Sequence, residues 1–495
     1  MKKRILAANT IVAVFYQVIV ILCGFVLPRY ILEYFGSEVN GLVNSITQFL
    51  SIVSLMELGV GAVVASQLYG PLANKKWDKI SEIISSADSF FRKIALVLVI
   101  YVVLLVLLYP KMNSCAFDML YTGSLILIIS INSFAQYYFG IVDNILLNAD
   151  QKSYIVYGSQ AVVCILNTVL CIIIMRLGAG IHLVKGVTAL VFVLRPIVVR
   201  VYIKNKYKNI NRNVKREKNI LEQKWSALSQ HISECILNST DIIILTIFST
   251  LSNVSIYYVY NLVVYNLKNF FLIVASSGTL AILGQYYATK RQKELELFFN
   301  RTEWVIHNLV IYIFSITSVL IVPFVKIYTR NVTDANYIQP LFALLIVLAQ
   351  GSHCLRLPYF MMIKASGNYK QTESCFIIST IVNIIISAVL SRTYGLVGVA
   401  IGTLVAMGYQ TIYLAIYVYQ KLIFKRIMYF IKQLLIDIIL FAIINRVGIL
   451  LTDRIVDYFS WIFVAIKISV IALVILLVAN LIFETNKVIS VIKKN

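Results

Sequence analysis

Charged residues are scarce in this sequence. Of its 495 residues only 13% are Asp, Glu, Lys or Arg, whereas charged residues make up about a quarter of a soluble domain. Apolar residues reach 60% and the mean hydropathy is +0.84. Proline is also rare, with seven residues, so the composition excludes disordered, collagen-like and linker-rich chains. These absences together predict an integral membrane protein.

Acidic residues are scarcer than basic ones, at 22 against 44. Such an excess in a soluble chain would suggest a nucleic-acid partner, but no polar segment here is long enough to form a nucleic-acid-binding domain. We therefore expect no nucleic acid among the partners. The excess of basic residues is better explained by the cytoplasmic loops of a membrane protein, in which Lys and Arg accumulate.

Sequence motifs of enzymes and metal sites are missing. The seven cysteines include no CxxC pair and no disulfide framework. The sequence also lacks a Walker A motif, a kinase-like glycine-rich loop and a metalloprotease HExxH motif, so neither ATP hydrolysis nor proteolysis is indicated. We expect a protein that is not an enzyme and that has no cofactor, no catalytic residues and no metal site.

Long apolar runs are abundant, and they recur along the whole chain. A helix needs roughly 20 apolar residues to cross a bilayer, and fourteen segments qualify, with the N-terminal run taken as a span because it is too long for a signal peptide. The predicted spans are 6–31, 40–66, 89–110, 119–147, 154–176, 179–202, 226–249, 254–284, 304–327, 338–363, 372–391, 394–419, 429–450 and 459–483. The fold class is thus an all-α polytopic membrane protein with about 14 transmembrane helices.

Basic residues alternate between the two sides of these spans. With the N-terminus inside, 31 basic residues fall on the cytoplasmic side and 9 on the outer side. The positive-inside rule then predicts a multi-pass protein of the cell membrane with both termini cytoplasmic. The longest polar stretch, 203–225, becomes a basic cytoplasmic linker, which we expect to touch anionic membrane lipids.

The two halves share a weak internal repeat. Ala149 and Ala365, Asn167 and Asn383, Arg176 and Arg392, and Gly186 and Gly402 are each 216 residues apart. This offset carries span four onto span ten, and a shift of six spans preserves orientation, so the predicted pseudo-two-fold axis runs along the membrane normal. The predicted domains are a six-helix bundle at 1–202, the linker at 203–225, a second bundle at 226–419, and a helix pair with a cytoplasmic tail at 420–495.

Polar residues recur at helical spacing inside several spans. A polar group facing lipid is costly, so such stripes mark a cavity or a helix contact. Span seven carries Ser226, Gln230, Glu234, Asn238 and Asp241 with His231 beside them, and span eight carries Asn261 and Lys268. The interpretation as helix–helix contacts or ion pairs stays open for each stripe, as for Asp437 and Lys467, which can satisfy each other in the terminal pair.

Two segments resemble polysaccharide-transporting flippases. The residues RYILEYFGSEVNGLVNSITQFLSIVSLMELGVGAVVASQLYGPLANKKWDKI are similar to the region of spans one and two of that family, and ASGNYKQTESCFIISTIVNIIISAVLSRTYGLVGVAIGTLVA resembles spans ten to twelve. O-antigen flippases, the lipid II flippase and the multidrug MATE exporters share this superfamily. The resemblance implies two bundles around a central cleft with alternating access.

The resemblance also implies a function and a site. The cargo would be a polyprenyl-diphosphate-linked oligosaccharide, moved from the inner to the outer leaflet for cell-surface polysaccharide biosynthesis, with glycan-assembly proteins as further partners. Family members carry cationic residues in spans one, two and eight; Arg29 and Lys268 match by helix, whereas span two offers Glu57. The expected substrate-binding residues are Arg29, Lys268, Arg356, Gln17, Gln48 and Asn261, and the expected ion-coupling residues are Glu57, Glu234 and Asp241.

Two other functions are left open by the sequence. A MATE-like multidrug or cation antiporter would use a cavity rich in carboxylates, which Glu57, Glu234 and Asp241 make conceivable. A membrane glycan polymerase or ligase is disfavoured, because no outer loop exceeds roughly fifteen residues and such enzymes generally use larger outer loops for their chemistry.

Overall fold

The structure is entirely helical in the part that is described. The computed structural model describes residues 2–57, 59–112, 117–212, 214, 225–276, 278–452 and 455–483. Within these ranges it contains seventeen α-helices and no strand. The predicted fold class, an all-α polytopic membrane protein, is confirmed. The predicted cytoplasmic tail, 484–495, and residues 213 and 215–224 of the basic linker lie outside the described residues.

The chain forms two compact units, residues 1–235 and 236–495. In the first unit the helices are α1 (Lys2–Ser51), α2 (Val60–Ala73), α3 (Trp77–Met112), α4 (Met119–Ala135), α5 (Ile141–Ala149), α6 (Ser153–Arg176) and α7 (Ile181–Lys206). Helix α8 (Trp225–Phe248) contains the boundary between the units. The predicted division into two six-helix bundles and a terminal pair stays a prediction.

The second unit continues from α8 with nine further helices in its described residues. They are α9 (Leu251–Ser276), α10 (Thr279–Ala288), α11 (Gln292–Tyr328), α12 (Pro340–Leu355), α13 (Leu357–Ser366), α14 (Tyr369–Tyr394), α15 (Leu396–Val418), α16 (Met428–Ile449) and α17 (Tyr458–Phe483). Helices α16 and α17 pack on α11 through two apolar clusters, one around Ile311 and Ile444 and one around Leu320 and Ile468.

Each predicted span coincides with helical residues, although not always with one straight helix. Eleven helical segments of the described residues are long and apolar enough to cross a membrane. Predicted span seven corresponds to α8, of 24 residues, and most of predicted span eight to α9, of 26 residues. Spans one and two, predicted as separate helices, form one run that is interrupted at Gly36, whose backbone is non-helical (φ 77°, ψ 179°).

Four of the spans are broken within their length, which the sequence analysis did not predict. Gly59 and Gly278 adopt left-handed conformations (φ 69° and 78°) just before α2 and α10; residues with a Cβ rarely adopt this conformation. Predicted span eight, 254–284, is therefore two helices. In span four a π-helical turn separates α4 from α5, and in span ten Arg356 separates α12 from α13, whose second residue, Pro358, lacks a backbone N–H to donate.

The order of elements in the first unit recurs in the second. Helix α6 begins at Ser153 and α14 at Tyr369, which is the 216-residue offset of the predicted repeat. The long helices α3 and α11, of 36 and 37 residues, each contain one proline near the C-terminal end, Pro110 and Pro323. The interruptions in spans two and eight and in spans four and ten also occur at corresponding places. The orientation of the repeat axis stays a prediction.

Candidate functional site

Asp241 lies in a polar pocket inside the second unit. Its carboxylate accepts hydrogen bonds from Tyr257 Oη at 2.8 Å and from Thr403 Oγ1 at 2.8 and 2.9 Å. Only 4% of the residue is exposed. A buried carboxylate requires such donors, because water does not solvate it. Three helices, α8, α9 and α15, thus converge on one acidic group.

The amide of Asn383 on α14 orders the same pocket. Its Nδ2 donates to Thr403 Oγ1 at 3.2 Å, and its Oδ1 accepts from Thr240 Oγ1 at 2.9 Å. Asn383 is one of the repeat positions, but neither it nor Thr403 is among the predicted site residues. Because only Asp241 is charged among these groups, no charge pattern in the sequence marks the other members. The pocket offers carboxylate, hydroxyl and amide oxygens, which are the ligands of small hard cations, and the carboxylate of Asp241 is also a group that a proton can bind.

Lys268 is buried on α9, with 2% of the residue exposed. Its ammonium lies 4.9 Å from the ring centre of Tyr265, and it is within electrostatic range of Asp241. Lys268 and Arg356 both act electrostatically on His353. The structure therefore brings three predicted residues, Lys268, Arg356 and Asp241, into the interior of one unit.

Arg356 lies between α12 and α13 and is held by side chains of the same unit. Its Nη1 donates to Gln410 Oε1, and Gln410 Nε2 in turn donates to Ser379 Oγ at 2.5 Å. The guanidinium carbon lies 5.2 Å from the ring centre of Phe360 and 5.6 Å from that of Phe376. Stacking and hydrogen bonding of this kind suit a planar guanidinium. In this structure Arg356 is thus packed in the protein interior.

Asn261 and Glu234 are half-buried on α9 and α8. Glu234 belongs to the first unit and lies seven residues before Asp241 on the same helix. Of the predicted stripe on α8, the side chains of Ser226, His231 and Asn238 lie outside the described residues. The prediction that residues of both halves line one common cavity stays a prediction.

The remaining predicted residues belong to the first unit. Gln17 and Arg29 are half-buried on α1. Gln48, further along α1, donates from Nε2 to Ser51 Oγ at 3.0 Å. Glu57 ends the short 3₁₀ turn after α1, where its carboxylate acts electrostatically on Tyr137. These four residues therefore occupy α1 and the interrupted region that follows it.

Arg195 on α7 is a buried cation that the predicted site omitted. Only 8% of it is exposed. When the Gln160 amide is oriented with its oxygen toward Arg195, that oxygen accepts from Nη2 at 2.6 Å and Nη1 at 3.1 Å. Tyr16, which stacks on Tyr157, is within electrostatic range of the guanidinium. Its place in the interior of predicted span six, away from both ends, was the sequence signal for this position.

A second group that sequence reasoning missed ties the start of the linker to the first unit. Arg212 donates to Asp88 Oδ2 at 2.8 Å and also to Asp143 Oδ1. Arg200 Nε lies 3.2 Å from Asp143 Oδ2, so two arginines neutralise two buried carboxylates. Arg212 was counted only as part of a solvated basic stretch, because its partners lie more than sixty residues away in sequence.

A third group connects α11 with α13 and α16 in the second unit. His307 Nδ1 lies 2.5 Å from Asp437 Oδ2, and His307 Nε2 lies 3.3 Å from Tyr359 Oη. Tyr359 in turn donates to Glu303 Oε1 at 2.6 Å. Asp437 therefore has a partner other than the Lys467 considered from sequence, and Lys467 Nζ lies 4.4 Å from the ring centre of Phe463.

These elements define a class of protein: the chain has the fold of transporters of the MOP superfamily. Among solved structures, the lipid II flippase MurJ in an inward closed conformation shares the fold with a TM-score of 0.68 at 17% identity, over 97% of this chain and 99% of that one. An inward-facing MATE multidrug-resistance transporter of the MOP superfamily gives a TM-score of 0.57 at 14% identity, over 83% and 98% of the two chains.

The MATE transporter VcmN of Vibrio cholerae in the bent form gives 0.53 at 13% identity, over 85% and 96% of the two chains. No protein-family profile and no curated protein matches the sequence. The expected likeness to flippases and MATE exporters is thus confirmed as a likeness of fold.

Proposed function

We propose that the protein is a flippase that moves a polyprenyl-diphosphate-linked oligosaccharide from the inner to the outer leaflet of the cell membrane by alternating access. The observation that carries the proposal is the pair of buried cations, Lys268 and Arg356, in the second unit. Burying a cation in a membrane protein is costly and marks a functional position. A diphosphate headgroup supplies the counter-charge that two such cations attract.

The polar residues proposed together with these cations suit the sugar part of the cargo. A glycan carries many hydroxyl groups, and each needs a hydrogen-bond partner when it leaves water. Gln17, Gln48 and Asn261 are half-buried amides that can exchange their present contacts for such hydroxyls. Arg29, half-buried on α1, adds a third cation to the proposed substrate-binding residues.

Asp241 is the best supported of the three proposed ion-coupling residues. Hydroxyl groups of Tyr257 and Thr403 already donate to its carboxylate, so Lys268 is not its only stabilising neighbour. Uptake of a proton or cation at Asp241 would change the field at Lys268 and thereby the affinity for an anionic cargo. Glu57 and Glu234, both half-buried, are proposed for the same role.

A MATE-like cation antiporter is the second candidate, and the MATE structures of the same fold favour it. An antiporter for cationic drugs needs carboxylates that the drug can reach. Asp241 is enclosed by hydrogen-bond donors, and the cation Lys268 acts on it electrostatically. This arrangement favours an anionic cargo over a cationic one.

Lys268→Ala tests the proposal directly. In cells that depend on the protein for surface polysaccharide, this variant should abolish glycan export while still inserting into the membrane, and Lys268→Arg should retain part of the activity because it keeps the charge. Lys467→Ala is the matched control, since Lys467 is also an intramembrane lysine but lies outside the proposed site. Full export by Lys268→Ala would refute the proposed role.

A triple variant separates substrate binding from simple charge neutralisation. If Lys268 only neutralises Glu234 or Asp241, combining Lys268→Ala with Glu234→Gln and Asp241→Asn removes the charges together and should restore export. If Lys268 binds the diphosphate, the triple variant should stay inactive. Rescue of export would therefore contradict the substrate-binding role.

A further inference from the structure

A chain of hydrogen bonds crosses the second unit between α16 and α11, apart from the proposed substrate site. It runs from Asp437 through His307 and Tyr359 to Glu303. His307 is fully buried, and Asp437 and Glu303 are 3% and 7% exposed. Two carboxyl groups and a histidine are thus joined through a tyrosine in the interior of a protein that has few charged residues. Chains of Asp, Glu and His in membrane proteins commonly carry protons.

Counting donors along this chain shows how many protons it holds. Tyr359 has one hydroxyl proton, and if it donates that proton to Glu303 at 2.6 Å, it must accept from His307 Nε2–H. His307 Nδ1 and Asp437 Oδ2, 2.5 Å apart, then need a proton between them. The network therefore contains one proton more than a neutral histidine with two carboxylates would supply.

The same proton can sit at the other end of the chain. His307 Nε2 passes its proton to Tyr359 Oη while Tyr359 passes its own hydroxyl proton to Glu303 Oε1. Glu303 is then a carboxylic acid that donates back to Tyr359, and neutral His307 keeps Nδ1–H directed at Asp437. The total charge is unchanged, and every hydrogen bond keeps one donor, so both arrangements fit the observed geometry.

Glu303 connects this chain to an opening in the protein. Its carboxylate also accepts from Tyr419 Oη at 2.8 Å. It lines a cavity of about 210 Å³ together with Tyr419, Gln433 and the lysines Lys425 and Lys432, which has room for several waters. The cavity lies at the N-terminal end of α16, which the distribution of basic residues predicts to be cytoplasmic. Protons thus have an entry path to Glu303.

Other polar and charged groups around the network come from each neighbouring helix. Gln433 on α16 donates to Asp437 Oδ1 at 3.1 Å, and Tyr429 lines the cavity beside the two lysines. Lys425 is paired with Glu296 at 3.0 Å. From α17, Asn480 lies beside Asp437 in the adjoining cleft.

We propose that Asp437, His307, Tyr359 and Glu303 form a binding site for one exchangeable proton, and that this proton holds α16, α11 and α13 together. The proposal rests on the transport function proposed above, to which it adds a second ion-coupling site. When the proton is lost, only two protons remain for the three contacts that run from Asp437 to Glu303. One contact between α16, α11 and α13 is then left with two acceptors and no donor, which destabilises the folded state.

Glu303→Gln is the decisive variant, because it satisfies the network without the extra proton. The amide introduced at position 303 donates to Tyr359, Tyr359 donates to His307 Nε2, and His307 Nδ1–H donates to Asp437. Tyr109→Phe is the matched control: it removes the hydroxyl of another buried tyrosine, which bonds to Ser45 Oγ at 2.7 Å in the first unit. Neither variant alters the proposed substrate site.

The experiment measures the thermal unfolding of the purified full-length protein in detergent between pH 6 and pH 9, without cargo. Because the folded wild type binds one proton that the unfolded chain releases above the ordinary pKa of histidine, about 6.5, its Tm should fall as pH rises through that range. Tyr109→Phe should show the same slope. Glu303→Gln should lack this part of the slope, and at high pH it should be more stable than the wild type.

Two further measurements complete the test. Asp437→Asn also removes the need for the extra proton and should match Glu303→Gln, which covers the case in which Glu303→Gln does not fold. Hydrogen exchange, corrected for its intrinsic pH dependence, should rise at pH 9 in the helices that the network joins, α11, α13 and α16, in wild type only. Equal Tm slopes in wild type and both variants, or unchanged exchange in all three helices, would overturn the proposal. Because no cargo is used, this result is independent of the flippase proposal.

Discussion

At the scale of single residues, the charges buried in the described part of the chain have partners on other helices. Asp88 and Asp143 in the first unit share Arg200 and Arg212. Asp241 is surrounded by hydroxyl donors, and Asp437 meets His307. This arrangement follows from the cost of a lone charge in a medium without water. It also means that removing one partner leaves the other uncompensated.

Arg212→Ala tests this at the junction with the basic linker. The substitution leaves Asp143, which is fully buried, with Arg200 alone, and breaking a buried pair of this kind costs about 3 kcal/mol. We expect a lower Tm for the purified protein and easier proteolysis after α7. Arg301→Ala, which changes an exposed arginine, should alter stability by no more than about 0.5 kcal/mol. Equal melting of the two variants would contradict the structural role of Arg212.

Sequence reasoning identified single charges better than the groups they form. Lys268, Asp241 and Arg356 stood out because charges inside apolar runs are rare, and the structure buries all three in one unit. Thr403, Asn383 and Gln410, which hold them, did not stand out, because such residues are common in membrane helices. His307 and Glu303 were missed because neither forms part of a polar stripe, and their partners are more than fifty residues away.

At the scale of helices, the interruptions distinguish this fold from a simple bundle of straight spans. Periodicity and run length placed the predicted spans on helical residues, but they gave no sign of the breaks at Gly59, Gly278 and Arg356. A hydropathy average carries no information on backbone dihedral angles. Glycine therefore enters the average like any other small residue, whether or not its backbone is helical. The backbone angles at these positions become visible only in the structure.

Gly402→Ala tests the close packing of α14 on α15. A Cβ at position 402 would lie 2.8 Å from the backbone nitrogen of Ser387, so the two helices must separate, at a cost of about 1–3 kcal/mol. The separation would also displace the neighbouring Thr403 from Asp241, and glycan export should fall together with Tm.

Gly408→Ala on the same helix is the control for this prediction. A Cβ at position 408 meets nothing within 4 Å, and alanine in place of glycine favours a helix by up to about 1 kcal/mol. This variant should therefore be as stable as wild type or more so. If both alanine variants melted alike, the close approach at Gly402 would have no energetic role.

At the scale of the whole molecule, the protein has the composition of an integral membrane protein and shares its fold with solved membrane transporters. The positive-inside asymmetry predicts which side is cytoplasmic, and an anionic cargo moved outward is then favoured by about 2.3 kcal/mol per charge per 100 mV of inside-negative potential. Export of the proposed lipid diphosphate can therefore draw on the membrane potential.

The central claim, translocation of an anionic lipid-linked sugar, is tested most directly with the purified full-length protein in liposomes. The probe is a fluorescent polyprenyl-diphosphate-linked disaccharide, and an impermeant quencher reports its arrival in the outer leaflet. Wild type should move the probe well above the rate in empty liposomes, faster with an inside-negative potential, while Lys268→Ala should give the background rate and Lys467→Ala the wild-type rate. Movement of ethidium instead of the probe, or equal probe rates with wild type and with empty liposomes, would contradict the account.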